Sequence, residues 1–420
     1  MSWRAAMAPL GDRQFRFFFA SRGVNICGSM MAPIALAFAV LSIEDSASAL
    51  GQVLAARSVP MVVFLLLGGV IADRVDRRLV IQVSNAISAL SQGLAAYLVI
   101  TGHAELWHLI VIEAVNGTSS AASFPAMQGM IPQLVPRAQL QSANVLLSMV
   151  RGALMVLGPS VAALLVVGVG PGWALAVDAT TWLLAALLLL PVRLPKRTAA
   201  PTAAVVHDLV EGWTLFRSTT WLWVVVLGFG ALNAIHAGAW LTLGPAVAQD
   251  TIGVAGWGYV VSAESIGLLL ATAVLLKVSF RFPLRAGMLG CLVFAAPLLL
   301  LGLDPHVVPL VGAMLLAGAG MEVFGLGWNL AMQEHVPEEM LSRAYSYDAL
   351  GSFVAIPVGQ LLYGPLGEWF GSEPVLVASA VAYAGICLLV LTSRSVRNLE
   401  RAASERGPEP ALSTTSSPSR

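Results

Sequence analysis

The stretch "GGVIADRVDRR", residues 68–78, places five charges, Asp73, Arg74, Asp76, Arg77 and Arg78, within six residues. The run before it, Ser46 to Ala72, holds a single charge, Arg57. A long apolar run closed by a dense charged knot is the pattern of a membrane span meeting water. The whole chain repeats that pattern. Of its 420 residues 57% are hydrophobic and only 11% charged, against about 25% charged in soluble domains. Apolar runs near 20 residues match the thickness of the hydrocarbon layer. They predict helices, because a barrel would show alternating strands of about ten residues. The 39 glycines agree, since glycine is frequent in membrane helices.

Twelve such segments are expected, at 15–41, 49–71, 78–100, 106–127, 142–167, 172–191, 221–247, 255–276, 282–302, 307–330, 345–366 and 373–393. The longest gap between them carries "VVHDLVEGWTLF", residues 205–216. Val206, Leu209, Val210, Trp213 and Phe216 fall on one helical face, which predicts an amphipathic helix lying in the interface. The polar tail from Arg394 is expected to be disordered. With the N-terminus in the cytoplasm, 20 of the 23 Lys and Arg residues fall in inner segments, and the remaining three, Arg22, Arg57 and Arg151, fall within spans. The outer links carry acids, among them Glu44, Asp45, Glu105, Asp250, Asp304, Glu368 and Glu373. This asymmetry predicts a cell-membrane protein with both termini cytoplasmic.

The chain also repeats itself. "AMQGMIPQLVPRAQLQSA" (126–143) is answered by "AMQEHVPEEMLSRA" (331–344), each after an even-numbered span. Val135-Pro136, Leu140 and Ala143 recur at Val336-Pro337, Leu341 and Ala344, and Gly158 recurs at Gly359. Duplication of a six-span unit follows. The fold class expected is an all-α membrane protein with twelve transmembrane helices in two six-helix halves around a central cavity. Residues 1–200 form the N-terminal half, 201–220 the cytoplasmic linker, 221–393 the C-terminal half and 394–420 the tail.

Three features, the twelve spans duplicated six and six, the central basic loop, and the knot between spans two and three, resemble the major facilitator superfamily. That family's loop pattern is matched by Gly69, Asp73, Arg74, Arg77 and Arg78, with Asp76 where many members have glycine. "AARSVP" (55–60) and "FPAMQGMIPQLVPRAQLQSAN" (124–144) are most like its drug-exporter branch, which includes enterobactin and macrolide exporters. A second motif lies in span five, where Gly158-Pro159 is followed by Ala162-Ala163 in place of the usual glycine pair. In the family that motif marks antiporters.

The resemblance implies that the knot is a conformational latch as well as a cytoplasmic anchor. Asp73 would dock at the N-terminus of span eleven, near Ser342–Tyr345, where unpaired N–H groups and the helix dipole favour an anion. Gly69 would permit the close approach, and Arg74 and Arg78 would pair with Glu338 or Asp348. It also implies that spans 1, 4, 7 and 10 line the cavity. Polar residues there are costly and need a partner or a job. The candidates are Arg22 and Asn25, Glu113 and Asn116, Asn233, His236 and Trp240, and Glu322 and Asn329, each group at helical spacing. Burial favours the protonated form of a carboxylate, so Glu113 and Glu322 are the expected proton carriers, unless Arg57 or Arg151 pairs with Glu113. Asp178, near the outer end of span six, reads as an interfacial group.

No Gly-x-x-x-x-Gly-Lys-Ser/Thr loop is present, and "GAGMEVFG" (318–325) reads as close helix packing. Energy is then expected from a proton gradient. The cysteines, Cys27, Cys291 and Cys387, have no metal or redox spacing. No cofactor, metal or nucleic acid is expected, and the protein is expected to act as a monomer in the lipid bilayer. With Trp240, Phe324 and Trp328 the cavity suits a lipophilic or amphipathic small molecule, whether drug, antibiotic or siderophore. The function expected is export by proton antiport with alternating access. Export of one endogenous metabolite, or uncoupled facilitation, is the alternative. A sensor or scaffold, or a polytopic enzyme, belongs to other classes. An enzyme would cluster its histidines at one face, and here they are scattered.

Overall fold

The computed structural model describes residues 7–74, 76–128, 130–136, 139–193, 213–275, 278 and 280–401. The long helices, in chain order, are α1 (Arg13–Ile43), α2 (Ala47–Arg74), α3 (Arg77–Ile100), α4 (Leu106–Gln128), α5 (Leu140–Val169) and α6 (Pro171–Leu188). They continue with α7 (Thr220–Asp250), α8 (Gly253–Leu275), α9 (Pro283–Leu303) and α10 (Val307–His335). The last are α11 (Glu338–Phe353 continued by Ala355–Phe370) and α12 (Ser372–Thr392). No strand occurs among the described residues. A helix lies on every apolar segment expected from the sequence. Eleven of them are long and apolar enough to cross a membrane. Helix α4 is of comparable length but carries His108, Glu113 and Asn116, which lower its apolarity. The protein is a multi-pass, all-helical membrane protein.

Local chemistry explains the helix ends. Asp12 caps α1 by accepting from the Phe15 amide at 2.9 Å, and Asp76 caps α3 by accepting from the Arg78 amide at 2.9 Å. Two links on the face opposite the described ends of the chain are single glycines. Gly170 joins α5 to α6 at φ 94°, and Gly371 joins α11 to α12 at φ 86°. A left-handed backbone there admits glycine at no steric cost. The two positions stand 201 residues apart, the offset already seen between Gly158 and Gly359.

Packing repeats with the same offset. A Cβ on Gly117 of α4 would collide with the Arg57 carbonyl of α2, and one on Gly318 of α10 with the Glu264 carbonyl of α8. A Cβ on Gly158 would lie 2.6 Å from the Met30 Cβ of α1, and one on Gly359 would strike the Ala234 carbonyl of α7. The stretch that resembled a nucleotide loop is packing, as expected: Gly318 seats α8, and Gly320 lies against Gly290 of α9. In lipid such small-residue contacts let backbones approach closely and supply the dispersion energy of association.

Two apolar cores result. The larger runs through both α1–α6 and α7–α12 and includes Leu36, Phe38 and Leu50 together with Leu243, Trp257 and Val260. The smaller is confined to α1, α3, α4, α5 and the chain beside them, with Phe15, Phe18, Ile81, Met130 and Leu146. The first six helices meet the last six on the face opposite the chain ends. There Gly51 of α2 lies against the Gln360 carbonyl of α11, and Gly364 against Ser48. Ser46 Oγ donates to Glu368 at 2.9 Å, and Ser58 Oγ donates to the Gln360 side chain. Between α5 and α8, Ala163 packs on Gly258, and the Ser160 and Ser262 hydroxyls stand 2.8 Å apart.

That closure can be tested by cross-linking. In a background with Cys27, Cys291 and Cys387 replaced, the pair Ser160→Cys and Ser262→Cys is expected to form a disulfide on mild oxidation, since the two side-chain tips already meet at 2.8 Å. Protease cleavage between residues 194 and 212 should then leave the two fragments joined on a non-reducing gel. Fragments that separate would contradict the closed face.

Candidate functional site

Helix α4 seats its polar residues against α2 and α3. The Gly117 contact draws α4 onto α2 at Arg57. Arg57 Nη1 then lies 3.4 Å from Glu113 Oε2, with the arginine side chain 34% exposed and the glutamate 1%. Gln92 of α3 donates to Glu113 Oε1 at 2.8 Å, and the Asn116 amide approaches the same oxygen at 3.4 Å. Asn116 in turn accepts from Ser91 at 2.9 Å. Glu113 is therefore held by a cation and two amides inside the first six helices. It and Asn116 are buried against α2 and α3 and do not project freely into a central cavity, as the resemblance had implied. Of the two arginines that could neutralise Glu113, it is Arg57 that pairs with it.

Asp178 corrects a second expectation. It is fully buried, not interfacial. It faces α1, where a Cβ on Gly28 would run into its carboxylate and the Thr181 hydroxyl. The Trp182 side chain is its neighbouring donor, and both Arg57 and Glu113 lie within its electrostatic reach. The sequence held a signal for this network. Ser84, Ser88 and Gln92 fall on one face of α3 at spacings of four, and all are buried. A lipid-facing helix has no use for a buried polar stripe.

The remaining candidates divide. Arg22 Nη1 donates to Asn25 Oδ1 at 3.1 Å. Beside Arg22, Arg151 of α5 lines a cavity of about 150 Å³. Asn233 donates to the Ser352 carbonyl of α11 at 3.2 Å. Asn329 accepts from the Tyr345 hydroxyl at 3.0 Å and is exposed. Glu322 accepts from Thr272 of α8 at 2.8 Å and is partly exposed. His236 and Trp240 differ from expectation. Residues His236–Leu243 form a π-helical stretch within α7, a feature frequent at functional sites. Thr242 Oγ1 satisfies the Ala237 carbonyl at 2.9 Å. The wider turn sends Trp240, 1% exposed, against Trp257 and Phe294, and His236 against Phe294. Trp240 belongs to the aromatic interior of α7–α12, and His236 stands partly exposed at its edge. Phe324 and Trp328 are buried too, with Phe324 stacked on Phe229 at 3.9 Å.

In the charged knot, α2 continues through Gly69 and Asp73 to Arg74, but the side chains of these three lie outside the described residues. Arg77 begins α3. Arg78 Nη2 donates to the Leu190 carbonyl at 2.7 Å, within its own group of helices. Asp348, one of its expected partners, instead accepts from Trp328 Nε1 at 3.0 Å; Glu338 lies outside the described side chains. In span five, Gly158 packs on α1 while Pro159 and Ala163 pack on Gly258, and Ala162 is fully buried. The motif wedges α5 between α1 and α8. Of the linker helix, Val206, Leu209 and Val210 lie outside the described residues, whereas Trp213 and Phe216 stack around Tyr347 of α11 at 5.8 and 5.7 Å. The tail beyond Arg401 is likewise outside them.

Two stability effects follow. Arg57→Gln leaves Glu113 buried without its cation and is expected to cost about 3 kcal/mol. Glu113→Gln in the same chain should recover most of that loss, read as melting temperature in detergent; additive losses would argue against the pair. Asp76→Ala removes a helix cap and should cost about 1 kcal/mol without altering the Arg57 cluster.

Comparison with known proteins agrees with this architecture. The family described as transmembrane secretion effectors matches residues 4–420. The MFS-type transporter YfiS of Bacillus subtilis is 23% identical, over 91% of this chain and 93% of its own. Macrolide efflux protein A of Streptococcus pyogenes is 22% identical, over 92% of this chain and 97% of its own. The crystal structure of the nucleoside transporter NupG superposes with a TM-score of 0.71 at 14% identity, covering 90% of this chain and 98% of that one. These are transporters, not enzymes. With its multi-pass helical fold and a family match spanning nearly its whole length, the chain belongs to the transmembrane secretion effector family of major facilitator transporters.

Proposed function

We propose that this transporter exports a lipophilic or amphipathic small molecule from the cytoplasm by proton antiport. Several features support the frame. The charge asymmetry of the links supports a cell-membrane protein with both termini in the cytoplasm. Helix α4 serves as the twelfth span, its charge hidden by Arg57. The matched glycine contacts 201 residues apart support two six-helix halves, residues 1–200 and 221–393, joined by a linker at 201–220. Contact between the halves on the face away from the chain ends then corresponds to a state closed to the outside and open to the cytoplasm. The knot at Gly69, Asp73, Arg74, Arg77 and Arg78 acts in the opposite state, latching the cytoplasmic side against α11. The Gly158-Pro159-Ala162-Ala163 motif holds the contact across which the halves pivot. The efflux relative supports the direction of transport.

One observation carries the coupling. Glu113 and Asp178 are two fully buried acids within reach of one guanidinium, Arg57. A buried, uncompensated charge costs several kcal/mol. The cluster becomes neutral when the two acids hold one proton between them. Arg57, a third exposed, is the least buried member, so a change at its outer face reaches both acids. Glu322, hydrogen-bonded by Thr272 and partly exposed, is the weaker of the two carriers first expected, although it lies on a cavity helix with Asn329. Arg22, Asn25 and Asn233 supply the polar part of the substrate site.

The test uses inside-out vesicles with an imposed proton gradient and a panel of lipophilic drugs and siderophores, followed with a pH probe. A substrate is expected to dissipate the gradient through the wild type. Glu113→Gln and Asp178→Asn should each abolish that response while substrate binding remains, and Glu322→Gln should reduce it less. Substrate movement without proton movement would make the protein an uncoupled facilitator. An unaltered response in both cluster variants would remove the cluster from coupling.

A further inference from the structure

The cavity between α1, α5 and the C-terminal end of α4 holds two cations and, among the described residues, no acid. Arg22 and Arg151 line it with Ser148, against an apolar wall that includes Phe18, Met127 and Leu147. The charged group within electrostatic reach of Arg22 is Arg151, a like charge. The hydrogen-bond partner of Arg22 is the neutral Asn25. Asn25 is itself only 4% exposed, and its Nδ2 amide has no acceptor among the described residues. Two guanidiniums thus line one cavity with no carboxylate among its described lining residues, whereas Arg57, a third exposed, is matched by Glu113. Two unmatched guanidiniums beside one another repel, Arg22 partly buried and Arg151 exposed, and an anion between them relieves that repulsion.

The geometry points to an anion-binding subsite at Arg22 and Arg151 that recognises an acidic group, carboxylate, sulfonate or phosphate, on an amphipathic organic anion carried by this transporter. This rests on the exporter reading and names its substrate class. A volume of about 150 Å³ admits an acidic head group, and the phenylalanine, methionine and leucine beside it meet the adjoining apolar part. Arg22 lies nine residues into α1 and Arg151 eleven into α5, both counted from the face bearing the chain ends. At 1.5 Å per residue each is about 15 Å from that helix end; since both helices are longer than a hydrocarbon layer about 30 Å thick requires, the two arginines stand inside the layer but nearer that face than its middle.

The experiment needs no gradient. The full-length protein in phosphatidylcholine nanodiscs is titrated with anilinonaphthalene sulfonate and, separately, with phenylnaphthylamine, the same skeleton without the sulfonate. Fluorescence is corrected against empty discs. The sulfonate is expected to bind at least about tenfold more tightly, the equivalent of one charge-assisted hydrogen bond, and inorganic phosphate should displace it. Arg22→Gln or Arg151→Gln should weaken the sulfonate about tenfold and leave the neutral dye unchanged, with the Lys variants keeping part of the preference. Equal affinities for the two dyes in the wild type would overturn the subsite whether or not any variant folds, as would indifference of the sulfonate to both Gln variants. Repeating the titration in discs containing phosphatidylglycerol separates the sources of the anion. An unchanged affinity keeps the site for a solute, and competition by the lipid would assign it to a head group and overturn its role in recognition. Failure of proton coupling in vesicles leaves these readouts untouched, and an absent dye preference leaves coupling untouched.

Discussion

The approach of α4 to α2 at Gly117 is the contact on which the rest of the first six helices depends. No hydrophobic force draws two helices together inside lipid, because the lipid tails are as apolar as the side chains. What remains is dispersion between closely fitted surfaces, and this falls away within a fraction of an ångström. Only a residue without a Cβ lets the α4 backbone reach the Arg57 carbonyl. Once it does, the Arg57 side chain falls beside Glu113, and Gln92, Asn116 and Ser91 complete the network. A polar cluster that would be prohibitive on a separate helix becomes the interior of the bundle. The same contact sets the depth of Asp178, because α6 packs on α1 and α3 around that interior.

The second copy of the contact shows what the sequence has done with its duplication. Gly318 repeats Gly117, with Glu264 supplying the carbonyl that Arg57 supplies in the first. The backbone geometry is retained while the chemistry is exchanged. Where α4 carries Glu113, α10 carries Met314 at the same offset, fully buried. The last six helices replace the polar network with an aromatic one, Trp240, Trp257, Phe294 and Tyr383 in mutual contact. One group of helices thus concentrates ionisable side chains and the other concentrates rigid apolar surface. For a molecule with an acidic end and an apolar body, the two provide different kinds of wall.

The positions of the helices were legible in the sequence because an apolar run about 20 residues long has one economical use, and its ends are marked by residues such as Asp12, Asp76 and Gly170 whose local chemistry stops a helix. The Arg57–Glu113 pairing was legible only as one alternative among two. Helical spacing tells which residues share a face, but not which neighbour that face meets. Glu113 and Asn116 share a face that turns to α3. His236 and Trp240 share one that the π-helical turn redirects toward the aromatic interior, and a widened turn leaves little trace in a one-dimensional pattern. Asp178 was misplaced because its position along α6 suggested an interface, while its burial depends on Gly28 of another helix. The glycine offset, by contrast, was visible as repetition before its structural meaning was. It marks contacts that tolerate no side chain in either copy.

The closed face also constrains how the molecule moves. Its seal is made of backbone contacts at Gly51, Gly258 and Gly364, together with hydroxyl pairs such as Ser160 and Ser262. Such contacts are short-ranged: they are made in full or lost in full, so the two groups of helices have discrete arrangements, not a continuum. Opening that face exposes Ser46, Ser58 and Gln360 to water, which replaces their hydrogen bonds at little net cost. The dispersion lost at the glycines has no such replacement within that face. In the proposed cycle it is offset by attraction at the opposite face, where the charged knot ends α2 and begins α3. There the five charges gather within one turn and a half of chain, and electrostatic forces act over longer distances than packing does. In the proposed mechanism a seal of close packing on one face and a seal of charge on the other differ in range and in their response to protons, and a shift of charge within the Arg57 cluster, on the helix that has Gly51 near one end and the knot at the other, would change the balance between them.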